Sequence, residues 1–187
     1  NSKILKPVLD SPFIKNLYKG KNVLVTGGGT GIGKEIATKY SLLGADVLIA
    51  SRKKNVLEKA SKEITEITNN QVKYAELNLK EHSSISNLVK NLDQTPDIVI
   101  NNAAGNFICR SEDLTYNGWN TILDIVLKGS VDLTLQLGSK MIKEEKQGVF
   151  VNISTTYAAT GSGYVLPSSI AKAGCDNLTK SLSAEWG

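Results

Sequence analysis

Two groups of residues carry types and spacings that can do chemistry. The first, Thr26-Gly27-Gly28-Gly29-Thr30-Gly31-Ile32-Gly33, places five glycines in seven residues between a short apolar run, 23–26, and a helical pattern, 32–43. A backbone without Cβ atoms turns sharply and can approach a pyrophosphate, while the helix start offers N–H groups and the positive end of its dipole. A bare tight turn does not need that much glycine. Gly28-x-x-x-x-Gly33-Lys34 also matches most of a nucleotide-triphosphatase phosphate loop, but Glu35 stands where that loop requires a Ser or Thr hydroxyl for Mg²⁺. The strand–loop–helix setting therefore selects a dinucleotide, with Gly27, Gly29, Thr30, Gly31, Ile32 and Gly33 as its cradle.

The second group is Ser51-Arg52-Lys53, at the end of the next apolar run. An NAD site normally places an acid there for the ribose hydroxyls. Ser51 and Arg52 suit a 2′-phosphate instead, gripped by the guanidinium through paired hydrogen bonds. Asp46 lies at the wrong end of that strand. For Lys53 a solvated helix start is a competing reading. The expected cofactor is NADPH rather than NADH.

Composition removes other classes. Twenty-two Lys and Arg stand against 18 Asp and Glu, a net charge of +4 spread without a block, which argues against a nucleic-acid partner. The slight excess suits an anionic ligand and equally a soluble surface. His82 is the single histidine, so a two-histidine metal motif is excluded, and no metal site is expected. Cys109 and Cys175 are too few for a disulfide framework or a four-cysteine zinc site and read as packing thiols. No run reaches the ~18 apolar residues of a membrane span.

The elements that position these residues alternate. Strands are expected at 23–26, 46–50, 72–77, 97–100 and 149–153, and helices at 32–43, 56–67, 85–92, 119–142 and 168–186, with a loop over 154–167. Continuous apolar strands alternating with helices predict an α/β fold, a doubly wound parallel sheet of Rossmann type. Residues 1–20 read as an irregular lead-in and 21–187 as one NADP-binding domain. The chain begins at Asn1 rather than Met and stops inside a helical pattern where Trp186 needs a packing partner, so it reads as a piece of a longer domain.

The spacing Thr26-Gly27-x-x-x-Gly31-x-Gly33, followed by Asn101-Asn102-Ala103-Ala104-Gly105 after the fourth strand, resembles the short-chain dehydrogenase/reductase family. The likeness runs from about Lys21 to Gly187. It implies that the turn with Asn102 and Ala103 abuts the adenine and ribose side of the cofactor, and that the last two strands of the family fold are lacking here. Family members carry Tyr-x-x-x-Lys on the fifth helix, whereas this chain has Ser168-Ser169-Ile170-Ala171-Lys172. A serine hydroxyl is far less acidic than a phenol whose pKa a nearby Lys⁺ lowers, so ordinary carbonyl reduction is disfavoured.

Tyr157 in the preceding loop, Ser168 in the tyrosine's place and Asn106 after Ala-Ala-Gly are together similar to the mitochondrial 2,4-dienoyl-CoA reductases. That resemblance implies an NADPH-dependent reduction of a dienoyl-CoA thioester, with Tyr157 and Asn106 donating to the thioester oxygen. Lys172 would hold the nicotinamide ribose, and Ser168 would bind cofactor or water. Asn78, where many relatives have Asp, falls on the adenine side. Lys80, Phe107 and Thr115 join Asn106 and Tyr157 on the substrate side, although a solvated Lys80 and a core Phe107 compete. The resemblance further implies a homotetramer and a mitochondrial address, with the peroxisome as alternative.

Lys128 stands where the family has Asn. Pointing inward it would depress the pKa of Lys172, and swinging outward it would matter little. Two other readings remain open: a related reductase of a carbonyl or another enoyl thioester, and a non-catalytic nucleotide-binding paralogue.

Overall fold

The apolar runs at 23–26, 46–50 and 97–100 form strands whose alternate side chains enter two separate cores, while those at 72–77 and 149–153 form the edges. In β1 (Asn22–Thr26), Val23 and Val25 join Val47, Ile49, Ala37, Leu57 and Ile64 on one face, while Leu24 joins Val99, Ile85, Leu133 and Leu137 on the other. Burial on both faces is what makes the run continuous rather than alternating. With β2 (Asp46–Ser51), β3 (Lys73–Glu76), β4 (Ile98–Asn101) and β5 (Val149–Asn152), it forms a wholly parallel sheet of order β3-β2-β1-β4-β5. The order reverses between β1 and β4, which opens a crevice at the carboxyl ends of those two strands. The chain is a doubly wound, Rossmann-type α/β domain.

This computed structural model describes residues 12–187. Of the expected lead-in, residues 1–11 lie outside the described residues, and 12–20 form bends and turns. The covering helices are α1 (Gly31–Leu42), α2 (Lys54–Thr68), α3 (His82–Lys90), α4 (Tyr116–Leu123), α5 (Gly129–Lys143), α6 (Tyr157–Thr160) and α7 (Leu166–Trp186). No helix among the described residues is long and apolar enough to cross a membrane.

Three expectations change in detail. The helix expected at 119–142 runs from Tyr116 to Lys143 and contains a π-helical turn, Asp124–Lys128, which shifts the hydrogen-bond ladder by one residue. The 154–167 loop contains α6, a single helical turn. The last helix starts at Leu166, with Pro167 in its first turn, where a missing N–H costs nothing. His82 is exposed as expected, yet its Nδ1 pairs with Asp132 Oδ2 at 2.7 Å. Trp186 finds its partner in Phe150, with ring centroids 6.5 Å apart.

A third apolar cluster matters most for the site. Ile122 of α4, Val126 of the π turn and Ala171 of α7 are buried together, with Phe107, Ile125 and Leu127 packed against them. This cluster fixes α7 against the α4–α5 run. On the main core, Leu133 is 0% exposed while Leu135, two residues on, is 44% exposed. We predict that Leu133→Ala lowers unfolding free energy by about 2–5 kcal/mol. The paired control Leu135→Ala stays within ~0.5 kcal/mol, both read from denaturant midpoints.

Candidate active site

The crevice begins with one hydroxyl. Thr26 Oγ1, buried at the end of β1, donates to the Ile100 carbonyl at 3.3 Å and accepts the backbone N–H groups of Asn102 and Ala103, both at 3.0 Å. Asn102 Nδ2 returns a hydrogen bond to the Thr26 carbonyl at 2.9 Å. The glycine loop and the turn after β4 are thereby one unit. Gly27 has φ +67°, and a Cβ there would lie 2.9 Å from Asn102 Nδ2 and 3.0 Å from Ala103 Cα. At Gly33 a Cβ would run into Asn102 Nδ2 and the Gly27 carbonyl. Both positions require glycine for close approach.

Around this loop lies a cleft of about 550 Å³, bounded by Thr26, Gly27, Gly29, Thr30, Gly31, Ile32 and Gly33 on one side and by Asn102, Ala103 and Ala104 on another. Ser51, Arg52 and Lys53 close one end, and no described residue lining the cleft carries a carboxylate. Thr30, the N-cap of α1, makes no side-chain cap bond, and the first turn holds no acid. Its leading N–H groups therefore remain available to an anion. A glycine cradle, a helix start and a basic end together fit a phosphorylated dinucleotide.

Asn78, expected on the adenine side, stands between two residues of the cleft lining. Its Nδ2 donates to Glu81 at 2.6 Å and its Oδ1 accepts the Lys80 N–H at 3.3 Å, a local arrangement at the start of α3. Leu77 and Leu79 line the cleft on either side of it. The Lys80 side chain is exposed.

Beyond the cleft, α7 carries Ser168 and Lys172. Lys172 is only 8% exposed, and its Nζ donates to the Ile153 carbonyl at the end of β5. Burial pulls its pKa below the usual 10.5, against the opposing influence of Cys175, Tyr157 and Asp176. Lys128 has no part in this. It is exposed and paired with Asp124 at 2.8 Å, which raises its pKa, so the outward alternative is the one observed. Cys175 is a buried packing thiol pointing at the Val126 carbonyl, 3.2 Å away, and burial pushes its pKa up.

The Tyr157 phenol and Ser168 Oγ share a hydrogen bond of 3.1 Å. Tyr157, Ser168 and Lys172 are thus brought to one place. Asn106 is exposed, and its Oδ1 accepts the Phe107 N–H at 2.9 Å. Phe107 packs on the third cluster. Thr115 is the N-cap of α4, its hydroxyl accepting the Gly118 N–H at 3.0 Å. The Asn106 segment meets the α6–α7 link where Cys109 N–H donates to the Tyr164 carbonyl at 2.9 Å, with Tyr164 in the left-handed region at φ +66°. Nothing in the residue spacing revealed that tie, although Gly161-Ser162-Gly163 signals a sharp turn there.

A family model described as short chain dehydrogenase matches residues 21–187. The chain belongs to the short chain dehydrogenase family. Among family relatives, an uncharacterized oxidoreductase of Caenorhabditis elegans is 46% identical over 97% of this chain and 61% of its own length. A probable 2,4-dienoyl-CoA reductase of the same worm is 41% identical over 100% of this chain and 62% of its own. This chain therefore spans about three fifths of these curated relatives. A crystal structure of a short chain dehydrogenase from Bacillus anthracis superposes with a TM-score of 0.85 at 39% identity, covering 89% of this chain and 68% of that one.

The buried lysine makes stability depend on pH with a definite sign. Between its lowered value and 10.5, the unfolded chain holds the Lys172 proton and the folded chain does not. Unfolding free energy should therefore rise with pH through that window. Urea unfolding from about pH 7 to about pH 10 should show this rise in wild type relative to Lys172→Met. Parallel pH profiles for the two proteins would contradict it.

Proposed function

We propose that the protein reduces 2,4-dienoyl-CoA thioesters to 3-enoyl-CoA with NADPH, as in the degradation of unsaturated fatty acids. The observation that carries this reading is the Tyr157 phenol on Ser168 Oγ, with Lys172 one helical turn further along α7. A serine in the place of the family's tyrosine removes the usual proton donor to a carbonyl. A phenol supplied from α6 restores a hydrogen-bond donor suited to a thioester oxygen.

The residues proposed to hold NADPH are the glycine loop and Asn102 with Ala103 for the pyrophosphate and adenosine parts, Ser51 and Arg52 for the 2′-phosphate, and Lys172 for the nicotinamide ribose. What NADPH supplies when bound is a hydride. As the far carbon of the diene gains it, negative charge moves onto the thioester oxygen. Tyr157 O–H and Asn106 N–H donate to that oxygen, a role that gains strength as the charge develops in a site shielded from water. The positive potential of Lys172 stabilises the same charge. A proton added at the carbon next to the thioester completes the 3-enoyl product. Lys80, Phe107 and Thr115 are proposed on the substrate side. A homotetramer and a mitochondrial address, with the peroxisome as alternative, complete the reading.

Loss of one oxyanion donor gives the expected size of effect. In the intact protein, Tyr157→Phe should lower kcat on a 2,4-dienoyl-CoA by about 10²–10³-fold with NADPH binding retained. Unchanged kcat, or turnover of a 3-oxoacyl-CoA with none of the dienoyl thioester, would sink the reading. Cofactor choice is tested separately. Removing one charge-assisted phosphate contact by Arg52→Ala should reduce kcat/KM for NADPH by roughly 10–100-fold while that for NADH stays level. Equal losses with both cofactors would deny Arg52 the 2′-phosphate.

A further inference from the structure

Tyr157 is held at both ends by consecutive residues of α7. Ser168 Oγ meets its phenol at 3.1 Å, and Ser169 Oγ donates to its backbone carbonyl at 2.9 Å. Ser169 is buried, at 9% exposure, and its own N–H bonds the Val165 carbonyl at 3.0 Å, so its hydroxyl sits on a fixed base. The element it grips is weak on its own. α6 has four residues, and a single turn is not a stable helix without tertiary support. Its N-cap, Thr156, makes no side-chain cap bond, and Gly161 at φ +71° follows immediately. The Tyr157 carbonyl that closes the turn, accepting the Gly161 N–H at 3.0 Å, is the same one that takes the Ser169 hydroxyl.

We infer that Ser169 is a positioning residue for the reaction: by bonding the Tyr157 carbonyl it fixes the turn from which the phenol reaches Ser168. This rests on the dienoyl-CoA reading, in which Tyr157 is the donor to the thioester oxygen. Ser169 touches neither the phenol nor, on this account, the substrate. Its loss therefore loosens the donor's aim without removing the donor, and a small displacement of a donor reduces the rate while leaving ground-state binding nearly intact.

The test compares Ser169→Ala, Ser169→Thr and Tyr157→Phe in the intact protein with NADPH and a 2,4-dienoyl-CoA. Ser169→Ala should lower kcat by ~10-fold with KM changed less than about twofold, and Ser169→Thr, which keeps the hydroxyl, should restore most of the loss. The double variant Ser169→Ala with Tyr157→Phe should be no slower than Tyr157→Phe alone. Without substrate, the ring ¹³C resonances of Tyr157 in tyrosine-labelled protein should shift in Ser169→Ala and return in Ser169→Thr. Wild-type kcat in Ser169→Ala beside a crippled Tyr157→Phe overturns the Ser169 inference alone, as do additive losses in the double variant. Wild-type kcat in Tyr157→Phe overturns the reading beneath it and this inference with it.

Discussion

The hydroxyl of Thr26 is the point on which the crevice depends. It sits where β1 ends, bonds the end of β4 and receives two N–H groups of the following turn. Parallel strands deliver all their carboxyl ends to one edge, but that alone leaves two loops free to drift apart. The Thr26 bonds, with Asn102 Nδ2 returning to the Thr26 carbonyl, bring the glycine loop and the turn together so closely that Cβ atoms at Gly27 and Gly33 are excluded. The cleft is therefore a consequence of one buried side chain satisfying the backbone of two elements.

A second constraint governs the other half of the site. Lys172 is placed in a setting that disfavours its charge, and the carbonyl of Ile153 is the protein partner its ammonium finds. That contact ties α7 to the end of β5. The third apolar cluster then ties α7 to α4 and the π turn. The glycine-loop cleft and the Tyr157–Ser168–Lys172 group are thus carried by separate supports that meet at the carboxyl edge of the sheet. The same π turn carries Lys128 to the surface, where Asp124 holds it, so that the second ammonium does not burden the first.

Much of this was legible in the residues. Runs buried on both faces announce themselves as unbroken apolar stretches, which is why the three central strands could be read; the edge strand at Lys73–Glu76 shows only as an alternating pattern. The glycine spacing located the cleft for the same reason that a Cβ is excluded from it. What could not be read depends on contacts between distant positions. The π turn adds one residue inside a pattern that reads as one long helix. α6 is a single turn whose Tyr157 carbonyl takes the hydroxyl of Ser169, twelve residues on. Asn78 has a side chain that can turn to a cleft or to its own neighbours, and here its Nδ2 reaches Glu81 three residues later. The cap bond from the Gly118 N–H to the Thr115 hydroxyl was likewise not read from the residues.

On the dienoyl-CoA reading, hydride enters a conjugated thioester and the charge is received by its oxygen. Isotope placement tests this most directly. The intact protein, given a short 2,4-dienoyl-CoA and NADPH deuterated at the nicotinamide, should return a 3-enoyl-CoA. Its deuterium should lie on the distal carbon of the former diene, with a solvent-derived hydrogen beside the thioester. Deuterium on any other carbon, or a dienoyl-CoA left unchanged while a ketone substrate takes up the label, would contradict the account.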